Sequence, residues 1–153
     1  MSSLGQRLAD IESRIDSAVK TAGRSREDVE LIVVSKNHPA QMVVDLLELG
    51  VRSFGENRDQ EAKPKSEEVS ALIAGKDYDY TWHFIGQLQS NKVRSALSYA
   101  GVVHSLDRQS LLDALIKATE ALIGSGKVES SAHRHAGGGR TRVVWAPHHS
   151  YSP

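Results

Sequence analysis

The sequence predicts an α/β protein built on a parallel sheet, and three observations carry that prediction. Short apolar runs alternate with amphipathic stretches four times between residues 31 and 123. The first run, Leu31 to Val34, is continuously apolar, as in strands covered on both faces. In every unit the strand comes before the helix, and parallel strands need a crossover that is usually helical.

Ahead of the first unit, Leu4, Leu8, Ile11, Ile15 and Val19 recur at three- or four-residue intervals and predict a packing helix that Gly23 can end. The strand Leu31–Val34 follows. Pro39 suits the first position of a helix whose buried face is Met42, Val43, Leu46 and Leu47, with Gly50 beyond its end. The second unit reads as a strand at Val51–Phe54 and a helix from Asn57 towards Ile73, in which Pro64 allows a break. The third reads as a strand at Thr81–Ile85 and a helix at Ser90–Ala100, with Gly101 beyond it. The fourth reads as a strand at Val102–Ser105, Asp107 as a candidate N-cap, and a helix with Leu111, Leu112, Leu115, Ile116, Leu122 and Ile123 on its apolar side.

Two architectures fit four such units. One is a doubly wound open sheet; the other is part of a βα barrel, which needs about 250 residues for its eight units. After Glu129 the texture changes: residues 130–153 hold four of the seven histidines, three arginines, Gly137 to Gly139, and no Asp or Glu. The chain therefore divides into 1–129, carrying the units, and an atypical His/Gly/Arg-rich tail at 130–153, where only Val143–Ala146 reads as a short strand.

Composition narrows the function classes. Lys plus Arg and Asp plus Glu stand at 19 each in 153 residues, so no net field draws the chain to nucleic acid or an anionic membrane. Without cysteine there is no disulfide, thiolate metal site or cysteine nucleophile. No apolar run reaches the length of about 18 residues that a membrane span needs, and the polar start does not read as a secretory signal. The compartment expected is the cytoplasm.

In parallel α/β sheets ligands gather at the carboxyl ends of the strands. Those ends supply Ser35, Lys36 and Asn37; Gly55, Glu56 and Asn57; His83 with the loop Gly86 to Asn91; and Ser105, Asp107 and Arg108. Lys36 is the sharpest candidate. An amine beside a buried strand can be partly desolvated, which frees it to attack a carbonyl carbon; the alternative is that it simply reaches solvent. Asn57 reads equally as a pocket residue or a helix N-cap, and His83 as a ligand-facing or a satisfied interior histidine. Gly86 suits a close backbone approach. Gly124 to Lys127 is not a phosphate loop, since Ala121 and Val128 occupy required Gly and Ser/Thr positions. The pairs His133/His135 and His148/His149 lack carboxylate or thiolate company, so no metal site is assigned.

Four segments decide between these readings. VVSKNHPA at 33–40, FGENRDQEA at 54–62, WHFIGQLQSNK at 82–92 and HSLDR at 104–108 resemble, in order and spacing, the YggS/PROSC family of pyridoxal 5'-phosphate (PLP)-binding proteins; the resemblance covers about residues 4–125. It implies a TIM-barrel-like fold similar to the N-terminal domain of alanine racemase, with PLP held as a Schiff base on Lys36 and with Asn57 and His83 lining the pocket. It also implies a role in PLP homeostasis, with PLP and amino or keto acids as small-molecule partners and no established turnover.

Relatives of that family continue for roughly another hundred residues, with Ser/Gly-rich and Gly-x-Arg segments that hold the cofactor phosphate. No counterpart is found in 130–153, whose composition resembles the product of a reading-frame change. The expectation is then an incomplete barrel, monomeric or self-associating, with weakened PLP binding. A racemase-like PLP enzyme and a non-functional or interaction chain are the alternatives.

Overall fold

Ser3 opens the first helix with a reciprocal cap. Its Oγ accepts from the Gln6 N–H at 3.2 Å while the Gln6 side chain accepts from the Ser3 N–H at 2.9 Å, which satisfies end donors the helix leaves open. The structure, a computed structural model, describes residues 3–125 and the backbone of 142–143. Helix α1 (Leu4–Thr21) carries the expected stripe, and Gly23 follows at φ +64°, a conformation glycine adopts without strain.

The four units follow in order: β1 (Val33–Val34) with α2 (Ala40–Glu48), β2 (Ser53–Glu56) with α3 (Asp59–Leu72), β3 (Thr81–Phe84) with α4 (Val93–Ala96), and β4 (Ala100–Val103) with α5 (Gln109–Gly124). A two-residue strand β5 (Arg142–Val143) completes the sheet. The strand expected at Val143–Ala146 thus begins one residue earlier and is described to Val143; the rest of the tail, including its histidine pairs, lies outside the described residues.

Several boundaries move. Leu31 and Ile32 precede the paired part of β1, and Pro39 is the N-cap of α2 instead of its first residue. Strand β2 begins at Ser53 and ends two residues later than the apolar run, because Gly55 and Glu56 find ladder partners in His83 and Phe84. Helix α3 runs through Pro64 unbroken. Proline removes one N–H there, but Ala62, Lys65 and Val69 are buried on both sides of it and hold the helix. The third helix is much shorter than expected: it ends at Ala96, and Ala100 and Gly101 join β4 because Ala100 pairs with Trp82. Arg108, not Asp107, occupies the N-cap of α5, and the Asp107 carboxylate instead accepts from Arg108 Nη1 at 2.7 Å.

All pairings are parallel, and the strands lie in sequence order, β1-β2-β3-β4-β5. That order selects between the two architectures. A doubly wound sheet reverses its strand order at a switch point, whereas right-handed crossovers between successive neighbours put every helix on the same face, as in a barrel wall. The helices follow suit, α2 against α3, α3 against α4 and α4 against α5. Among the described residues β1 pairs only with β2, so the wall is open.

The helix-facing side forms the core. Phe54 and Trp82, with ring centroids 5.7 Å apart, pack on Val43, Val44 and Leu47 of α2; Phe84 and Val103 pack on Ala96, Leu111 and Leu115. Phe54, Leu47 and Phe84 are almost wholly buried, each contributing about 2 kcal/mol from apolar burial. Alternation sends Gly55, His83 and Val102 to the opposite, inner face. Among the described residues no helix is long and apolar enough to cross a membrane.

Candidate functional site

Lys36 lies where β1 ends and the chain turns into α2. The His38 N–H donates to the Ser35 carbonyl at 3.1 Å, closing a four-residue turn with Lys36 and Asn37 at its centre. Asn37 has φ +63° and Lys36 has no such value, the pattern of a type II turn, which admits glycine or asparagine at its third position. A left-handed non-glycine residue costs about 1 kcal/mol or more and persists only where its surroundings fix it. Lys36 therefore sits at an outward corner and is exposed. The burial expected of a lysine beside a buried strand is not found, because β1 stops at Val34 and Lys36 lies on an exposed turn.

The surroundings that fix the turn come from α3. Lys65, with a side chain only 6% exposed, donates to the Ser35 carbonyl at 2.9 Å, to Glu56 Oε1 at 2.7 Å and to Glu61 Oε1 at 3.0 Å, using all three ammonium hydrogens. The Ser35 hydroxyl donates to the same Glu56 oxygen at 2.7 Å, and the Asn37 N–H donates to Glu61 Oε1 at 2.5 Å. The hydrogen bond from Lys65, then that from the Asn37 N–H, hold the Glu61 carboxyl below the usual carboxylate range. Ser35 is fastened a fourth way, its own N–H donating to the Gly55 carbonyl at 3.0 Å.

Asn57 lies two residues past Gly55 on the inner side and is half-buried. It is not a helix cap: Arg58 holds the N-cap position of α3. Register pairs Val34 with Gly55, so Lys36 and Asn57 each lie two residues past a paired position, on neighbouring strands. Gly86 is the reason the next loop can come so close, since a Cβ there would stand 2.3 Å from the Asn57 carbonyl oxygen and 2.9 Å from its Cα. Only glycine fits such an approach. Gly55 leaves room in turn for Ile32, Val34 and Ile85, whose methyls lie 3.1–3.5 Å from where its Cβ would be. Val34 remains 44% exposed on this face.

His83 is level with Gly55 on the next strand but is buried, at 3% exposure. Its Nδ1 shares a hydrogen bond with His104 Nε2 at 3.1 Å, and its Nε2 lies 3.6 Å from Glu30. Burial pushes the His104 imidazole below its ordinary range, the nearby Glu30 charge opposing this. Lys36 and Asn57 thus follow the ends of adjacent strands, with His83 within β3, two strands across from β1, about 10 Å at the usual strand spacing. A groove of about 540 Å³ beside the turn is lined by His38, Pro39, Glu61 and Pro64 on the helix side and does not reach Lys36, Asn57 or His83. Among the described residues no group of three or more acidic or histidine side chains is placed to hold a metal.

Sequence reasoning named Ser35 and Glu56 as strand-end residues but missed Lys65, Glu61 and Glu30. Glu61 and Lys65 do stand four residues apart on one helix, a spacing that signals an ion pair. Nothing in the spacing says that this pair is turned inward onto the β1 turn.

No protein-family model matches the chain. Among curated proteins it is 40% identical over 131 residues to the pyridoxal phosphate homeostasis protein of Mycobacterium leprae, covering 84% of this chain and 51% of the relative. To the protein of that name in Escherichia coli it is 37% identical over 109 residues, covering 71% and 45%. Among solved structures it is similar to PipY of Synechococcus elongatus with PLP bound, at TM-score 0.64 and 34% identity over 90% of this chain and 58% of that one. The chain spans about half the length of the curated relatives it matches.

Proposed function

From homology to the pyridoxal phosphate homeostasis proteins over most of its length, we propose that this chain binds PLP at the carboxyl ends of its strands, that Lys36 is the residue holding it, and that its role is to keep the cofactor bound and available. The observation that carries this reading is the likeness to a solved PLP-bound protein over 90% of the chain, combined with a primary amine at the end of β1.

The residues present fit such a group. Lys36 is exposed just beyond β1, and Val34, two residues before it, is still 44% open to water, an apolar surface that a planar pyridine ring would cover. Asn57, half-buried just past the end of β2, supplies an amide for hydrogen bonding to ring substituents. His83 is already engaged with His104 and supports the floor below, its part being to orient and to hold a proton at the shared nitrogen pair. When bound, PLP supplies an aldehyde that condenses reversibly with a primary amine, releasing water.

The test is site-resolved. The unaltered chain is mixed with PLP, reduced with borohydride and digested, and mass spectrometry locates the phosphopyridoxyl group. The expected result is modification at Lys36, lost in Lys36→Ala. Labelling spread evenly over exposed lysines such as Lys20, Lys76 and Lys117 would show that no site has been built.

A further inference from the structure

We propose that Glu61 and Lys65 of α3 are positioning residues for Lys36, gripping the backbone on both sides of it so that the corner of the turn that carries its amine stays fixed at the end of β1. The proposal rests on the reading of Lys36 as the PLP-holding lysine and adds the part of the molecule that aims it.

The grip is two-sided. On one side Lys65 Nζ donates to the carbonyl of Ser35, and on the other Glu61 accepts from the N–H of Asn37. Lys65 and Glu61 are themselves joined at 3.0 Å, so the two holds form one unit anchored on α3. Glu56, 1% exposed, fixes the position of that unit relative to the sheet, accepting at one oxygen from both Lys65 and the Ser35 hydroxyl. The residue between the two holds, Lys36, is exposed and free to reach, while its neighbours are not free to move.

The turn would not hold its shape unaided. Asn37 is in the left-handed region, where the backbone relaxes unless it is over-determined, and its N–H is the group Glu61 takes. A relaxed Asn37 rotates the peptide that follows Lys36 and changes the direction in which its side chain leaves the turn. A salt bridge that served stability alone would not need to spend both its partners on main-chain atoms flanking one exposed lysine. Charge-assisted bonds are also the stronger kind, which suits the task of fixing geometry.

The test compares Glu61→Leu, which cannot accept from Asn37, with Glu61→Gln, which keeps an acceptor oxygen at that position. Both are assayed on the full chain well below the melting transition, by the rate of PLP capture under borohydride at Lys36 relative to Lys117, and by hydrogen exchange of the Asn37 amide. Loss of one charge-assisted hydrogen bond predicts a fall of about tenfold in capture at Lys36 in Glu61→Leu, with Lys117 unchanged. Exchange at Asn37 should accelerate in parallel, and Glu61→Gln should recover most of both. A Lys65→Met/Glu56→Gln double variant, which removes the buried charges together, should show the same selective loss at Lys36. Capture at Lys36 that is as fast in Glu61→Leu as in the unaltered chain overturns the positioning role and leaves the PLP reading standing. Absence of capture at Lys36 in the unaltered chain overturns both.

Discussion

Replacing Gly86 by alanine tests the packing of the strand-end loops with a single methyl group. The added carbon would stand 2.3 Å from the Asn57 carbonyl oxygen, 2.9 Å from its Cα and 3.0 Å from its carbonyl carbon, where ordinary contact begins near 3.4 Å. The loop must therefore open by about 1 Å, and all three atoms are main chain, so no rotamer change relieves the contact. The adjoining ladder resists as well, since the Ile85 N–H donates to Glu56 O at 2.8 Å. Overpacking of this kind costs about 2–3 kcal/mol. Gly86 has no positive φ that alanine would strain, and the loss of glycine freedom from the unfolded chain returns about 0.4–1 kcal/mol. The net of about 2 kcal/mol lowers the melting temperature by about 4–8 °C for a chain of this size. Thermal and urea unfolding followed by circular dichroism measure it, with Gly55→Ala as the comparison. There the new methyl meets side-chain atoms of Ile85 and Ile32 at 3.1 and 3.2 Å, which can yield, so the loss should be smaller. A Gly86→Ala protein that melts with the unaltered chain, or above Gly55→Ala, would refute the close approach of the two loops.

Two further expectations concern charge. Lys65→Met leaves Glu56 buried with one oxygen that has no hydrogen-bond partner among the described residues and the other held only by Ser35; breaking such a pair costs about 3–5 kcal/mol, whereas Lys65→Met/Glu56→Gln should recover much of that loss, and equal instability of the two in denaturant melts would contradict it. Acidification should weaken the fold in two windows. Burial lowers the folded-state affinity of His104 for protons, so the unfolded chain takes them up first and stability falls as pH drops below the ordinary histidine value of 6.5; a His104→Gln variant should lose that first phase in melts taken between pH 7.5 and 5.5. Glu61, held low by Lys65 and the Asn37 N–H, contributes stability above its ordinary 4.5 that disappears as the pH falls further, and Glu61→Gln should flatten this lower phase.

The alternation of strand and helix was readable because periodicity reports burial, and burial is what sets the elements: the stripes of α1, α2 and α5 were all visible in the chain. Boundaries failed where tertiary contacts overrode local preference. Gly55 and Glu56 carry no strand signal of their own, and their extended backbone comes from β3 on one side and from Lys65 on the other. Ala100 reads as the end of a helix until Trp82 pairs with it. The place of Lys36 just past β1 and the tight passage at Gly86 were legible from strand-end position and glycine chemistry. The burial of Lys65 was not, since Glu56 and Lys65 meet only when β2 and α3 have packed, nor was the exposure of Lys36, which depends on a turn that one left-handed asparagine defines.

The in-order sheet also bears on how the chain acquires its structure. Val33 pairs with Phe54 after 21 residues, Phe54 with Trp82 after 28, and Trp82 with Ala100 after 18. Closing loops of such similar length differs by only about 0.4 kcal/mol in entropy. Each of these strands finds its partner in the unit immediately before it, so none must wait for a distant segment, and the wall can grow one unit at a time as the chain leaves the ribosome. Lys65 enters with α3, one unit after the β1 turn that it grips. The turn around Lys36 can therefore be set while synthesis of the later units is still under way.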